Sequence, residues 1–289
     1  MGGVGVIARK ELADFVSNRA YQLTLVLLLV SMVIAGVSAH GMYGGSDLLV
    51  IRNEAIVVNS LGVLVAIAYG FNTINKERHE GNLKILLSYP IFRDQIIIGK
   101  LLAGLMTISV ITILSLSVGL VCFILLAKII PTIDIMVRFS IFATLTILLL
   151  TGWVGLSVLL STLFKDAKTT LLVLLLFVFL SNSEVLSYFG SVIPRLLYGP
   201  YNFGSQANTQ ALSLTQFITK MSPSAGYTYI SASLSVITIW KWVGTERVLI
   251  PTIITDVLIF YRYSVALLVV IPILTFAASY VVFTRRDIT

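Results

Sequence analysis

The chain has 289 residues, 57% of them hydrophobic and 11% charged, and a formal net charge of +7; its mean hydropathy is +0.99. A soluble domain carries about a quarter charged residues, so this composition excludes an ordinary water-soluble globule and reads as an all-α, polytopic membrane protein. Excess Lys and Arg in such a chain marks cytoplasmic loops; no basic patch interleaves with exposed aromatics, so no nucleic-acid partner is expected.

Residues 4–18 read as an amphipathic helix suited to the membrane interface. Val4, Ile7, Ala8, Leu12 and Phe15 recur at spacings of three and four, with Arg9, Lys10 and Asp14 mostly opposite. The charges in this first apolar run set it apart from a signal peptide. Glu11 falls inside the apolar stripe. Either an Arg of the 76–93 stretch or water reached by snorkelling satisfies it.

Six spans are expected, at 21–39, 55–74, 101–127, 139–164, 169–192 and 263–283. Arg52 and Glu54 close the short loop before the second span, which carries Asn59, Ser60, Tyr69 and Asn72. Such residues bond to neighbouring helices or line a pathway. The third span holds Cys122, whose solitude excludes an intrachain disulfide and a cysteine-cluster metal site. Drawn this way, the first four spans have no ionisable residue in their middles. The fifth carries Asn182 and Glu184, the latter roughly 22 Å along a helix from Thr169. There Glu184 is an interfacial acid or a pathway group. Residues 193–262 form a long external segment, in which 225–242 and 247–260 are apolar but interrupted. They are expected as re-entrant or interfacial helices, with two further full spans as the alternative.

The densest charge lies at 75–100, NKERHEGNLKILLSYPIFRDQIIIGK. Glu77 and Glu80 suit the start of a short helix. Leu83, Leu86 and Leu87 form one face, and Pro90 ends the helix. A leucine face with a charged rim suits a groove in a cytosolic partner, or folds back on its own bundle. Lys165-Asp166-Ala167-Lys168 is a tight turn on the same side. That side also receives Arg9, Lys10, Arg19, Lys76, Arg78, Lys84, Arg93, Lys100, Arg285 and Arg286, against Arg52, Lys128, Arg138 and a scatter along 193–262. Both termini are therefore expected in the cytoplasm of a cell-membrane protein. The chain has no G-x-x-x-x-G-K-[ST], H-E-x-x-H or G-x-S-x-G. No catalytic residue, metal site or cofactor of its own is expected, and any energy source lies in a partner.

The run Glu80-Gly81-x-Leu83-Lys84-x-Leu86-Leu87-Ser88-Tyr89-Pro90-Ile91-x-Arg93-x-x-Ile96-x-x-Gly99-Lys100 resembles the signature of ABC-2-type permeases, especially the group serving nitrous oxide reductase maturation. Ile7–Leu12, Gly152-Trp153-Val154-Gly155-Leu156, Ser222-Pro223-x-x-x-Tyr227 and Phe283-Thr284-Arg285-Arg286 agree with it. The resemblance implies that 4–17, with Arg9, Lys10 and Glu11, is an elbow helix. It also implies that 80–87 is a coupling helix and that Lys165, Asp166 and Lys168 make a second cytoplasmic contact. Two such permeases, identical or paralogous, would sit on separate ATPase subunits that hold ATP and Mg. The competing reading is a membrane anchor that recruits a cytosolic partner without transport.

Overall fold

The structure, a computed structural model, describes residues 3–42, 48–71, 73–76, 93–128, 130–198, 217, 222–236, 238–243 and 246–285. The chain opens with α1 (Gly3–Ser17) and α2 (Arg19–Met42). Next comes α3 (Leu49–Gly70), which contains one π-helical turn at Val58–Gly62. Then follow α4 (Arg93–Ala127), α5 (Ile133–Leu163), α6 (Ala167–Ser181) and α7 (Ser183–Tyr198). After α8 (Pro223–Ser235) come strands β1 (Thr238–Val243) and β2 (Glu246–Pro251), then α9 (Ile254–Phe260) and α10 (Arg262–Arg285).

Among the described residues, five stretches are long and apolar enough to cross a membrane: 22–39 in α2, all of α3, 94–127 in α4, α5 and α10. With 35 residues, α4 is about 52 Å long and overshoots a hydrocarbon core of about 30 Å. It starts at Arg93 rather than at the expected 101. The second span starts earlier too, at Leu49, and takes Arg52 and Glu54 into the helix.

Two expectations are corrected. The span drawn at 169–192 is divided at Asn182, whose backbone is extended (ψ 135°). The run Ser181-Asn182-Ser183 consists of small polar residues, the kind that competes with a helix for backbone hydrogen bonds. Ser181 Oγ lies 3.1 Å from Ser222 Oγ and 3.2 Å from Ser224 Oγ at the start of α8. In the external segment, interfacial helices over 225–242 and 247–260 give way to α8, an antiparallel β-hairpin and α9. The strands pair Thr238 with Pro251 and Val243 with Glu246. Their sequences, TIWKWV and ERVLIP, favour extended backbone through β-branched and aromatic residues. Among the described residues the all-helical expectation fails only at this hairpin.

α5 is the centre of the bundle, in contact with α3, α4, α8 and α10. Small residues let these helices approach closely. A Cβ on Gly155 would overlap Thr275 Oγ1 and lie 2.7 Å from the Phe276 ring, and Ser279 Oγ donates to the Gly155 carbonyl at 3.1 Å. Between α2 and α4, a Cβ on Gly36 would lie 2.5 Å from the Gly119 carbonyl oxygen. That atom is backbone and cannot swing aside. Gly36→Ala is therefore expected to force α2 off α4 and cost about 1–3 kcal/mol, read as a lower thermal midpoint in detergent. Gly5→Ala, with open space around it, is the control and leaves the midpoint unchanged or slightly raised.

α8 is held at both ends. Ser222 caps its start, accepting from Ala225 N at 3.3 Å. Tyr227, fully buried, shares a 2.8 Å hydrogen bond with Thr146 Oγ1 and stacks on Phe142. At the other end the Ser235 carbonyl accepts from Leu48 N at 2.7 Å. There Arg138, expected just outside the fourth span, sits in the second turn of α5 and is 1% exposed. Its Nε donates to Asp134 Oδ2 at 2.7 Å. Nη1 donates to the Leu234 and Val236 carbonyls at 3.2 Å each, and Nη2 to the Thr252 carbonyl at 2.6 Å. A cation at the carbonyl end of α8 also suits the helix dipole. One guanidinium thus joins α5, the end of α8 and the start of α9 around the β-hairpin.

Candidate functional site

The polar groups gather in two places. The first is the end of the bundle where α1, the start of α4 and the α5–α6 turn meet. α1 buries Ile7 and Ala8 and leaves Arg9 and Lys10 exposed. Its seat on α4 needs Gly99, where a Cβ would lie 2.8 Å from Ile7 Cγ2 and 3.2 Å from the Val4 carbonyl oxygen. Glu11 points inward, as its place in the apolar stripe requires, and accepts from Lys100 Nζ at 2.6 Å. The expected partner was an Arg of the 76–93 stretch; among the described residues the contact is to Lys100, itself 1% exposed. The Lys100 carbonyl in turn accepts from Tyr69 Oη at 3.0 Å, so α3 joins the same block.

Asn75, fully buried, ties this block to the α5–α6 turn. The backbone N–H groups of Ile74 and Asn75 donate to Ser161 Oγ at 3.2 and 3.4 Å. The Asn75 amide, turned so that its nitrogen faces carbonyls, donates to Ser161 O at 3.2 Å and Phe164 O at 3.0 Å and accepts from Thr170 Oγ1 at 3.1 Å. Lys165, Asp166 and Lys168 stand exposed between Phe164 and Thr170. The root of the charged stretch and the 165–168 turn are thus fastened together by one side chain. Glu80, Gly81, Leu83, Leu86, Leu87 and Pro90 lie outside the described residues, and of Arg93 only the backbone, at the start of α4, is described.

The second place is the interior of α2, α3, α4 and α8. Asn59 donates to Thr228 Oγ1 on α8 at 3.4 Å, the helix-to-helix bond that a polar residue in a span ordinarily makes. Asn182 is exposed at the α6–α7 break. Asn72 and the side chain of Glu184 lie outside the described residues. Glu54, assigned above to a loop, is fully buried in α3. Neither of its carboxyl oxygens has a hydrogen-bond partner among the described residues. The signal for it was the apolar run Leu48–Ile51 ahead of Arg52, which lets the helix begin at Leu49. For Asn75 no signal in the sequence marks burial.

A third feature is a cavity of about 170 Å³ between α5, α6, α8 and α10. Its walls include Gly152, Trp153, Phe177, Pro223 and Pro272.

The profile of the ABC-2 family transporter proteins matches residues 6–288. The chain belongs to the ABC-2 transporter family. Two relatives carry the name probable ABC transporter permease protein NosY. The one from Stutzerimonas stutzeri is 36% identical over 104 residues, 35% of this chain and 38% of the relative. The one from Pseudomonas aeruginosa PAO1 is 35% identical over 103 residues, 34% of this chain and 38% of the relative. The alignments thus span less than half the length of either relative. With its several membrane-length helices, this ABC-2 protein is a multi-pass membrane protein.

Proposed function

We propose that this ABC-2 protein is the permease subunit of an ATP-binding cassette transporter, probed and pushed from the cytoplasm by separate ATPase subunits that hold ATP and Mg. The observation that carries this reading is the block built on Glu11, Lys100 and Asn75. It holds the amphipathic helix, the root of the 76–92 stretch and the 165–168 turn as one unit. A surface that receives a push needs such stiffness, since a loose loop would absorb the displacement. The exposed charges Arg9, Lys10, Lys165, Asp166 and Lys168 rim that unit. In this reading α1 is the elbow helix and residues 80–87 the coupling helix. Glu80, Leu83, Leu86 and Leu87 face the ATPase, with Gly81, Pro90 and Arg93 shaping the helix and its exit.

The excess of Lys and Arg at the α1 end supports a cytoplasmic position for that end and for both termini. α6 and α7 together make a broken fifth span, giving six. Two permeases, identical or paralogous, then share a seam, and export is the direction proposed. Asn59, Asn72, Asn182 and Glu184 are the pathway candidates. The chain contributes no catalysis: hydrolysis belongs to the ATPase subunits.

Leu86→Asp with Leu87→Asp is expected to abolish co-purification with a co-expressed ATPase subunit, while the variant still inserts into the membrane. Stoichiometric ATPase retained on that double variant would overturn the docking role.

A further inference from the structure

Glu54 is the one acid among the described residues that is both fully buried and without a hydrogen-bond partner. It lies inside a membrane-length helix. Its carboxyl presses against α4 at Gly119, where a Cβ would collide with Oε1, and the Met32 carbonyl of α2 borders the same space. The close approach of Gly36 to Gly119 closes that space from the α2 side. A carboxyl shut into an apolar helix junction has two ways to persist. It pairs with a cation, or it carries a proton and is neutral.

Among the described side chains, the elements packed against Glu54 supply no cation; the side chain of His40, one turn beyond Gly36 on α2, lies outside them. Residues 22–39 of α2 and 101–127 of α4 have no charged side chain, the thiol of Cys122 being the titratable group there. α8 brings the phenols of Tyr227 and Tyr229, and Tyr227 is occupied by Thr146. α5 brings Asp134 and Arg138, and the Arg138 guanidinium is spent on Asp134 and three carbonyls. On α3 itself, Arg52 is exposed, two positions away and so on another side of the helix.

We propose that Glu54 is a proton-binding site of the membrane part: the carboxyl carries a proton while α2, α3 and α4 are closed around it, and releases it to water when they separate. The ligand is a proton, and the reaction is carboxylate plus proton to carboxylic acid. An opening and closing of this junction during a transport cycle would then move one proton per chain. The proposal rests on this junction alone and not on the docking of an ATPase.

Infrared spectra of the purified protein in nanodiscs at pH 7 test it. The expected result is a carbonyl-stretch band of one protonated carboxyl that shifts with ¹³C-labelled glutamate and is missing from Glu54→Gln. Carboxylate bands in its place, or no protonated-carboxyl band in the unaltered protein, would overturn the proposal. The labelled spectrum needs no variant, so it stands even if Glu54→Gln folds poorly.

A second readout is stability against pH. An unfolded Glu has lost its proton above about pH 4.3, whereas the closed junction keeps it, so unfolding releases a proton. Stability therefore falls as pH rises, by about tenfold in the folded-to-unfolded ratio per pH unit. Relative to Glu54→Gln, the unaltered protein is expected to lose thermal midpoint steadily from pH 5 to pH 8. Parallel curves for the two proteins would overturn the proposal.

Discussion

Arg138→Ala is expected to be among the most damaging single substitutions in this protein, at about 3–5 kcal/mol. The guanidinium is 1% exposed and meets one carboxylate and three backbone carbonyls. Truncating it strands the carbonyls of Leu234, Val236 and Thr252 in a buried place, and each such orphan costs about 1–3 kcal/mol. Arg138→Lys is not expected to rescue, because an ammonium is a point charge and cannot fork to acceptors on both sides. The readouts are the thermal midpoint and the rate of proteolysis between 237 and 253, with the midpoint falling and cleavage speeding up. An unchanged midpoint would mean that the β-hairpin and α9 are held by something other than Arg138. Asp134 is half exposed, so Asp134→Asn is expected to cost less, near the about 1 kcal/mol ceiling of surface pairs.

The second large effect is expected at Glu11. Glu11→Ala leaves the ammonium of Lys100, with a side chain 2% exposed, short of its carboxylate in a closed site. That loss is expected to cost about 3–5 kcal/mol and to release α1 from α4. The readouts are a lower thermal midpoint and faster proteolysis of the junction between α1 and α2. Replacing both partners, Glu11→Leu with Lys100→Met, is expected to recover most of the midpoint, since an apolar pair needs no desolvation of charge. The cycle of single and double variants isolates the pair. A loss in the double variant equal to the sum of the two single losses would show that the two side chains act separately. If the apolar pair restores stability and ATPase binding alike, the ion pair is a fastener and the position of α1 is what matters.

The spans were legible because long apolar runs have few alternatives in a membrane protein, and α2, α4, α5 and α10 lie where hydropathy puts them. What hydropathy misreads is the charge at the edge of a run. Glu54 and Arg138 each stop an apolar window, so both were drawn in loops, yet both are inside helices and buried. Their burial is produced by neighbours distant in sequence: Gly36 and Gly119 around Glu54, and 234–252 around Arg138. No local pattern encodes such partners. The break at Asn182 was masked by apolar residues on its α6 side, and the β-hairpin by its short runs, which suit a strand as well as a helix. Glu11 is the converse case. Its misfit within the apolar stripe of α1 was readable from periodicity, and so was its need for a partner. Only the identity of that partner, Lys100, came from the fold.

The Arg138 contacts also impose an order in time. Its carbonyl partners lie 96, 98 and 114 positions further along the chain. At a synthesis rate of about 5–20 residues per second, several seconds pass between the making of the guanidinium and the making of its acceptors. During that interval a bare charge would have to cross or linger at a membrane. Asp134, four positions earlier on the same helix, is already there, so the nascent segment enters as a neutral pair. A carboxylate that contributes little to the finished protein thus escorts a deeply buried charge into place.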